Sequence, residues 1–363
     1  MTEMTGEVLA QIRGQVGCIT LNRPKALNAL SLGMVRDLMT VLLEWQRNPA
    51  VLAVAIRGSN KEGVFGAFCA GGDIRFLHQA GSCGNPEIED FFTEEYALNH
   101  LIHNYGKPYI AFMDGIVMGG GMGISQGAAL RVVTGRTKMA MPETAIGLFP
   151  DVGGGYFLSR CPGHVGEWLA LTGDTIGAGD AIAFGLADGC LPVEQLTPVW
   201  DALGAQTFAD GAAVQSFVAS QLIADSARLQ SVRGQIDHYF SMGSVDAIVK
   251  ALEAADDEWA RATAATLRKR SPLMLNVVLE QIRRARGMDL ATDLRMERDM
   301  VRHCFFLRPG QSETVEGIRA LAVDKDHAPK WSPARIEDVT PDMVAPFFVS
   351  PWPVHAHPLA SLG

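Results

Sequence analysis

Two carboxylates, Glu143 and Asp151, stand in the stretch Met141-Pro142-Glu143-Thr144-Ala145-Ile146-Gly147-Leu148-Phe149-Pro150-Asp151-Val152-Gly153-Gly154-Gly155, where most other residues are apolar, proline or glycine. A carboxylate in such surroundings is poorly solvated, so its pKa and nucleophilicity can be set for acid–base or nucleophilic chemistry. The same placements also suit helix starts. Asp151 could cap a helix beginning at Val152, and Glu143 could occupy a first turn after Pro142. Taken alone, neither acid decides between these readings.

Two glycine loops upstream weigh on the decision. Ala70-Gly71-Gly72-Asp73-Ile74 and Met118-Gly119-Gly120-Gly121-Met122 each follow an expected strand and precede an expected helix. Lacking a Cβ, glycine lets a ligand approach the backbone N–H closely, and the first N–H groups of a helix are unpaired and attract negative charge. Two such loops facing each other could grip a carbonyl oxygen as it gains charge. The competing account, that the glycines only permit tight helix–sheet packing, suffices for one loop but is strained by two loops with two acids nearby. Other motifs fail. GxxxxGK[ST] and GxGxxG are absent, which removes support for nucleotide triphosphates and dinucleotides. Gly123-Ile124-Ser125-Gln126-Gly127 has the GxSxG form of a nucleophile elbow, but the preceding strand ends near Met113. Ser125 is therefore expected inside a helix, too late for a sharp strand-to-helix turn.

These residues need a scaffold, and the pattern supplies one. Val8 to Arg13 and Val16 to Leu21 flank Gly14-Gln15 and predict a hairpin. Ser31 is a candidate N-cap for an amphipathic helix to about Arg47. Val51 to Arg57, Pro108 to Met113 and Leu130 to Thr134 read as strands. A glycine-rich loop spans Gly58 to Gly72, a short helix starts near Asp73, and Glu89 to Asn104 is helical by its period. Beyond about Gly189 the chain turns helical: Val193 to Leu203 (stopping at Gly204), Ala212 to Ala224, Val245 to Ala254, Glu258 to Lys269, Pro272 to Arg286 and Leu290 to Cys304. The expected organisation is α/β, with ββα-like units over 1–190 and a helical region over 191–363. That region would pack on the first part and carry a proline-rich, extended tail from about 331. Arg268-Lys269-Arg270 and Arg283-Arg284-Ala285-Arg286 read as solvated helix faces or as neighbours of an anionic ligand.

Composition bounds the function. With 363 residues the chain has ample core. Its net charge of −9 argues against broad nucleic-acid binding, and the absence of a long uncharged apolar run argues against a membrane span. Six scattered cysteines without a CxxC pair and nine histidines without HExxH or HxxxH point to neither a metal site nor a disulfide framework. Reduced thiols in a cytoplasm are the simplest account, and Met1 to Glu7 is acidic and polar, unlike a leader. A cytoplasmic location is therefore expected.

With these residues in hand, the chain resembles the crotonase (enoyl-CoA hydratase/isomerase) superfamily over nearly its whole length. The resemblance runs from Leu21-Asn22-Arg23-Pro24-Lys25-Ala26-Leu27-Asn28-Ala29-Leu30 to Val315-Glu316-Gly317-Ile318-Arg319-Ala320 and Asp324-Lys325-Asp326. Phe68 to Arg75 and Phe91 to Tyr96 agree as well, and Met141 to Tyr156 points to the hydrolase branch. The resemblance implies a crotonase-like spiral of ββα turns followed by a helical C-terminal region. It implies that Gly72 and Gly120 supply the two N–H groups holding a thioester carbonyl. Lys25, Ala26, Leu27, Ala70, Gly71, Asp73 and Ile74 would line the coenzyme A groove, and Glu95 would reach the acyl pocket. Hydratases of the family carry a glutamate three residues after the second glycine, a position held here by Gly123, and another at the position of Glu143. Asp151 stands where they usually have no acid. Hydrolysis of a short β-hydroxyacyl thioester, that of 3-hydroxyisobutyrate, is thus the implied reaction, with Glu143 and Asp151 catalytic and a role in valine breakdown. The alternatives are hydration or isomerisation, hydrolysis of another short β-hydroxyacyl-CoA, and non-catalytic acyl-CoA binding. No cofactor beyond the coenzyme A of the substrate and no metal is expected. The superfamily forms trimers and hexamers but its hydrolase branch can differ, so a homo-oligomer is one reading and the resemblance leaves the oligomeric state open.

Overall fold

The computed structural model describes residues 5–61, 63 and 65–363. The first four residues of the acidic start, and positions 62 and 64 of the glycine-rich 58–72 segment, lie outside the described residues. In chain order the first elements are β1 (Val8–Arg13), β2 (Val16–Leu21), α1 (Leu32–Arg47), β3 (Ala53–Gly58), α2 (Ile74–Cys83) and α3 (Glu87–His103). There follow β4 (Tyr109–Met113), β5 (Ile116–Met118), α4 (Gly120–Gln126), β6 (Leu130–Val133), β7 (Lys138–Ala140), α5 (Gly154–Leu158), α6 (Val165–Thr172), α7 (Ala178–Ala183) and β8 (Gly189–Cys190). The remainder is helical: α8 (Leu196–Ala205), α9 (Gly211–Ala219), α10 (Arg233–Phe240), α11 (Val245–Ala254), α12 (Glu258–Leu267), α13 (Pro272–Ala285), α14 (Leu290–Phe306), α15 (Glu313–Ile318) and α16 (Pro341–Val344).

The chain forms two compact units, each discontinuous in sequence. One comprises Met1–Gly72, Ala97–Ala140 and Thr175–Arg228; the other comprises Asp73–Tyr96, Met141–Asp174 and Leu229–Gly363. This division differs from the single cut after residue 190 that the composition implied. Long-range contacts, not sequence order, decide which segments share a core.

The first unit holds every strand named above. Its main sheet runs β1-β2-β3-β4-β6-β8. β1 and β2 form the antiparallel hairpin, with Val8 opposite Leu21 and Arg13 opposite Val16; the later pairs are parallel. The inner strand β4, YIAFM, is buried at every residue, as a strand covered on both faces must be. The edge strand β1 is mostly exposed or half-buried after Val8. Phe112 packs edge-on against Trp200 at 5.5 Å between ring centroids, within a core that includes Cys18, Ala55, Val132 and Leu203. α1 starts as expected, with Ser31 accepting a hydrogen bond from Met34 N at 3.2 Å, and buries Val35, Leu38, Leu42 and Trp45.

Two expectations need correction. Gly204 does not stop α8; it lies within the helix, where a Cβ would come 2.8 Å from that of Arg13, so its smallness serves packing. The tail from 331 is not simply extended but folds into short turns, Ile336–Asp338, α16, Ala345–Phe348 and Val354–Ala356, because proline suits the first helical turn. The basic clusters stand on solvated helix faces as expected, with Arg268, Lys269, Arg284 and Arg286 exposed, and several of their arginines pair within the chain. Arg268 bridges Glu253 and Glu337, Arg284 pairs with Glu280, and Arg270 donates to Thr172 O at 2.6 Å. Among the described residues no helix is long and apolar enough to cross a membrane.

Candidate functional site

The two glycine loops belong to the first unit. Asn28 is fully buried and its Nδ2 donates to the carbonyls of Ser59 and Ala67, each at 2.8 Å. The chain turns at Leu27 and Asn28 through positive φ. Leu27 O thereby accepts from Ala70 N at 3.0 Å, and Leu30 N donates to Gly71 O at 2.7 Å. Lys25, Ala26 and Leu27 are thus held beside Ala70 and Gly71, with Lys25 and Leu27 exposed. Cys69 N donates to Ile116 O and Met118 N to Cys69 O, both at 3.0 Å, which ties this segment to β5 and the second loop. Gly119 sits at φ 47°, ψ −119°, a conformation only glycine takes cheaply. A Cβ on Gly71 would lie 3.8 Å from Gly120 N, so the loops abut. Among the described residues no acceptor takes the N–H of Gly72 or of Gly120. Unpaired donors on adjoining loops can take a carbonyl oxygen that accumulates charge.

The acids belong to the second unit. Glu143 opens a 3-10 turn, Glu143–Ile146, after Pro142, so the expected helix-start placement is real and accompanies near-complete burial. Leu148 N closes the turn onto Glu143 O at 3.0 Å, and Thr314 Oγ1 holds Gly147 O at 2.7 Å. Asp151 is not the cap of a helix at Val152, because α5 begins at Gly154 after Gly153. Its Oδ2 instead accepts from Tyr96 Oη at 2.8 Å. Glu95, Glu143 and Asp151 are only 2%, 7% and 6% exposed. Glu143 Oε2 and Glu95 Oε1 have no hydrogen-bond partner among the described residues, as befits polar atoms awaiting a ligand.

Burial sets the proton affinities. Glu143 is held well above the usual carboxylate range, chiefly by burial and then by the negative charge of Asp151. Glu95 is raised for the same reasons. Asp151 is pushed up by burial to about 6, and the Tyr96 hydroxyl and a backbone N–H oppose the rise. Such a cluster contains both proton donors and acceptors near neutral pH.

The family model described as enoyl-CoA hydratase/isomerase matches residues 16–348. The chain belongs to the enoyl-CoA hydratase/isomerase family. Among its relatives, a mitochondrial 3-hydroxyisobutyryl-CoA hydrolase of Danio rerio is 40% identical over 95% of this chain and 90% of the relative. The mitochondrial enzyme of the same name in Rattus norvegicus is 39% identical over 95% of this chain and 89% of its own. The solved structure of a carnitinyl-CoA dehydratase from Mycobacterium thermoresistibile matches with a TM-score of 0.87 and 38% identity, covering 94% of this chain and 96% of that one. The crotonase-like α/β fold is therefore established for this family member. The cytoplasmic location expected from the sequence is overturned by the relatives, which are named as mitochondrial. Six free thiols fit any reducing compartment and could not discriminate.

The expected residues thus fall into two groups: Lys25, Ala26, Leu27, Ala70, Gly71, Gly72 and Gly120 in the first unit, and Asp73, Ile74, Glu95, Glu143 and Asp151 in the second. Asp73 has a structural task, capping α2 by accepting from Phe76 N at 3.3 Å, and Ile74 is the first residue of that helix. Ser125 is fully buried within α4 and its Oγ donates to Gly121 O at 2.7 Å, which removes the nucleophile-elbow alternative. Among the described residues no group of three or more His, Cys, Asp or Glu side chains is placed to hold a metal ion. The sequence reading missed Tyr96, Asp293 and Glu297. Tyr96 was visible only as the neighbour of Glu95. Asp293 and Glu297 were legible as acids one helical turn apart among Leu290, Leu294 and Val301, an unusual content for a buried helix face.

Proposed function

We propose that this protein hydrolyses 3-hydroxyisobutyryl-CoA to 3-hydroxyisobutyrate and coenzyme A, with no cofactor beyond the coenzyme A carried by the substrate. The observation that carries this reading is the joining of Glu143 and Asp151 in one buried cluster, while the first acid position of a hydratase is occupied by Gly123. That glycine is buried inside α4 with its N–H on Gly119 O at 3.1 Å. Adding water across a double bond calls on two acids arranged for that purpose, and one of them is missing. The relatives named as hydrolases support the same reading.

In this mechanism the amides of Gly72 and Gly120 polarise the thioester carbonyl and hold the oxyanion. The Glu143 carboxylate attacks the carbonyl carbon, the carbon–sulfur bond breaks, and coenzyme A leaves as thiolate and takes a proton; water then opens the mixed anhydride. In the general-base variant, Glu143 takes a proton from the attacking water instead. Asp151, aimed by Tyr96, accepts the substrate's 3-hydroxyl. A site built to bond that hydroxyl rejects thioesters lacking it by up to about ten-thousandfold, because its own polar groups would be left unpaired. Glu95 closes the acyl pocket, and Lys25 to Leu27 with Ala70 and Gly71 receive coenzyme A.

The test is thiol release across a panel of short acyl-CoAs, run beside loss of crotonyl-CoA absorbance. Preferential release from 3-hydroxyisobutyryl-CoA is expected, whereas faster crotonyl-CoA hydration would replace the reading by the dehydratase chemistry named for the Mycobacterium relative. Glu143→Gln should lower kcat by at least about a thousandfold, a loss typical of a chemical group, and leave the Kd for coenzyme A within about threefold. Retained turnover refutes the role of Glu143. Oxygen-18 from solvent water appearing in Glu143 after turnover identifies the anhydride route.

A further inference from the structure

Asp151 owes its position to groups outside the cluster it serves. The residue after it, Val152, is β-branched yet adopts φ +59°, a conformation such residues avoid unless the surroundings impose it. The next turn, Gly153 to Tyr156, starts α5 without any side-chain cap of its own. Its orphan N–H groups are taken by α14 instead. Glu297 Oε2 accepts from Gly153 N at 2.7 Å and its Oε1 from Gly155 N at 2.9 Å, while Asp293 Oδ2 accepts from Tyr156 N at 2.8 Å. From α13, Gln281 Nε2 donates to Pro150 O at 2.7 Å and to Glu297 Oε1 at 3.2 Å. Glu297 and Asp293 are both fully buried, and a cation would be the ordinary partner for such acids. Here backbone N–H groups supply the hydrogen bonds, and the Arg160 charge acts on Asp293. The glycines follow from this arrangement, since a Cβ on Gly155 would meet Asp293 Oδ1 at 2.4 Å.

We propose that Glu297 is a positioning residue for catalysis: its carboxylate grips the N–H groups of Gly153 and Gly155 and so forces Val152 into positive φ and Asp151 toward Tyr96. Asp293 extends the grip by one residue, and Gln281 locks Glu297 against the other end of the turn. Burial raises the proton affinity of both acids, with the Arg160 charge opposing the rise in Asp293, so the pair can hold a proton between them.

This inference rests on the hydrolase reading only for its choice of substrate. The test compares wild type with Glu297→Gln, Glu297→Ala and a control on the same helix, Val301→Ala, in the full chain. Glutamine keeps the shape but sets an NH2 group against one backbone donor. The expected result is a fall in kcat of about 30- to 100-fold for either Glu297 variant, as for a catalytic group misplaced by about 1 Å, with KM changed by less than about threefold. Val301→Ala should keep kcat within about twofold even where its Tm falls as far. Crystal structures add a readout independent of turnover: in Glu297→Gln, Val152 should leave positive φ and the Tyr96–Asp151 hydrogen bond should break. The proposal fails if Glu297→Gln keeps that bond and that φ, if it keeps kcat within about threefold, or if Val301→Ala at equal Tm loses as much activity. If wild type releases no thiol from 3-hydroxyisobutyryl-CoA, the substrate assignment fails separately, and the crystal structures still decide the role of Glu297.

Discussion

At the scale of single residues, the buried acids differ in what satisfies them, and that difference divides their tasks. Asp151 has a hydroxyl donor in Tyr96, whereas Glu143 and Glu95 each leave an oxygen without a partner among the described residues. A hydrogen bond to a charged acceptor favours the ionised form, so Asp151 ionises before its neighbours, and its charge then raises theirs. The pH dependence of Tyr96→Phe follows from this order. In the proposed mechanism activity needs ionised carboxylates and is lost as pH falls through their pKa values. Removing the hydroxyl removes an interaction that lowers the pKa of Asp151, so the Asp151 step on the acid limb of kcat/KM, the lower of its steps, must move to higher pH. The expected displacement is about one pH unit, since a hydrogen bond to a charged group contributes about 1.5–3 kcal/mol. An acid limb that stays in place or moves down would show that Tyr96 does not tune Asp151.

At the scale of elements, both clusters rest on backbone held by distant partners. Gly121 shows how little room this leaves: a Cβ there would fall 2.4 Å from Cys69 O, the carbonyl that accepts Met118 N and joins the two glycine loops. Gly121→Ala should therefore spread the loops and lower kcat by about a hundredfold, the loss expected when an oxyanion donor is misplaced. A stability cost of about 1–3 kcal/mol from overpacking should accompany it. Unchanged kcat in a folded Gly121→Ala protein would contradict the role of these loops. The same elements show what was legible in the sequence. The hairpin, α1 with its Ser31 cap, and α11 stand where periodicity and capping residues placed them, because local signals determine them. The three-residue strands β5 and β7 were missed, being too short for any period to show. The acids Glu143 and Asp151 stood out by their apolar company. Their supports at Tyr96 and Glu297 did not, since a hydrogen bond across 55 or 144 residues leaves no local trace.

For the whole molecule, the same buried acids set the pH range of stability. Asp293 is pushed up by burial to about 7, with the Glu297 bond and the Tyr156 N–H acting against the rise, and Glu297, Glu143 and Glu95 are raised as well. An acid whose folded-state pKa is raised keeps its proton where the unfolded chain has released it. Its contribution to stability is complete below the ordinary carboxylate pKa and declines as pH rises through the raised value. Acids paired with arginine nearer the surface, such as the half-buried Glu316 and the exposed Glu337, have lowered values and contribute in the opposite sense, losing their part only under strongly acid conditions. The melting temperature should therefore begin to fall near about pH 4, where an unfolded carboxyl ionises, and go on falling to about pH 7, where Asp293 ionises in the folded protein. Asp293→Asn mimics the protonated side chain: its carbonyl can still accept Tyr156 N, and its amide can donate to Glu297. At pH 8.5 this variant should melt about 2 °C above wild type, the effect of roughly 1 kcal/mol in a protein of this size, and at about pH 4, near the ordinary carboxylate pKa, the difference should vanish. Thermal melts at the two pH values decide it, and a gap of equal size at both would mean that the substitution acts through packing rather than through the proton.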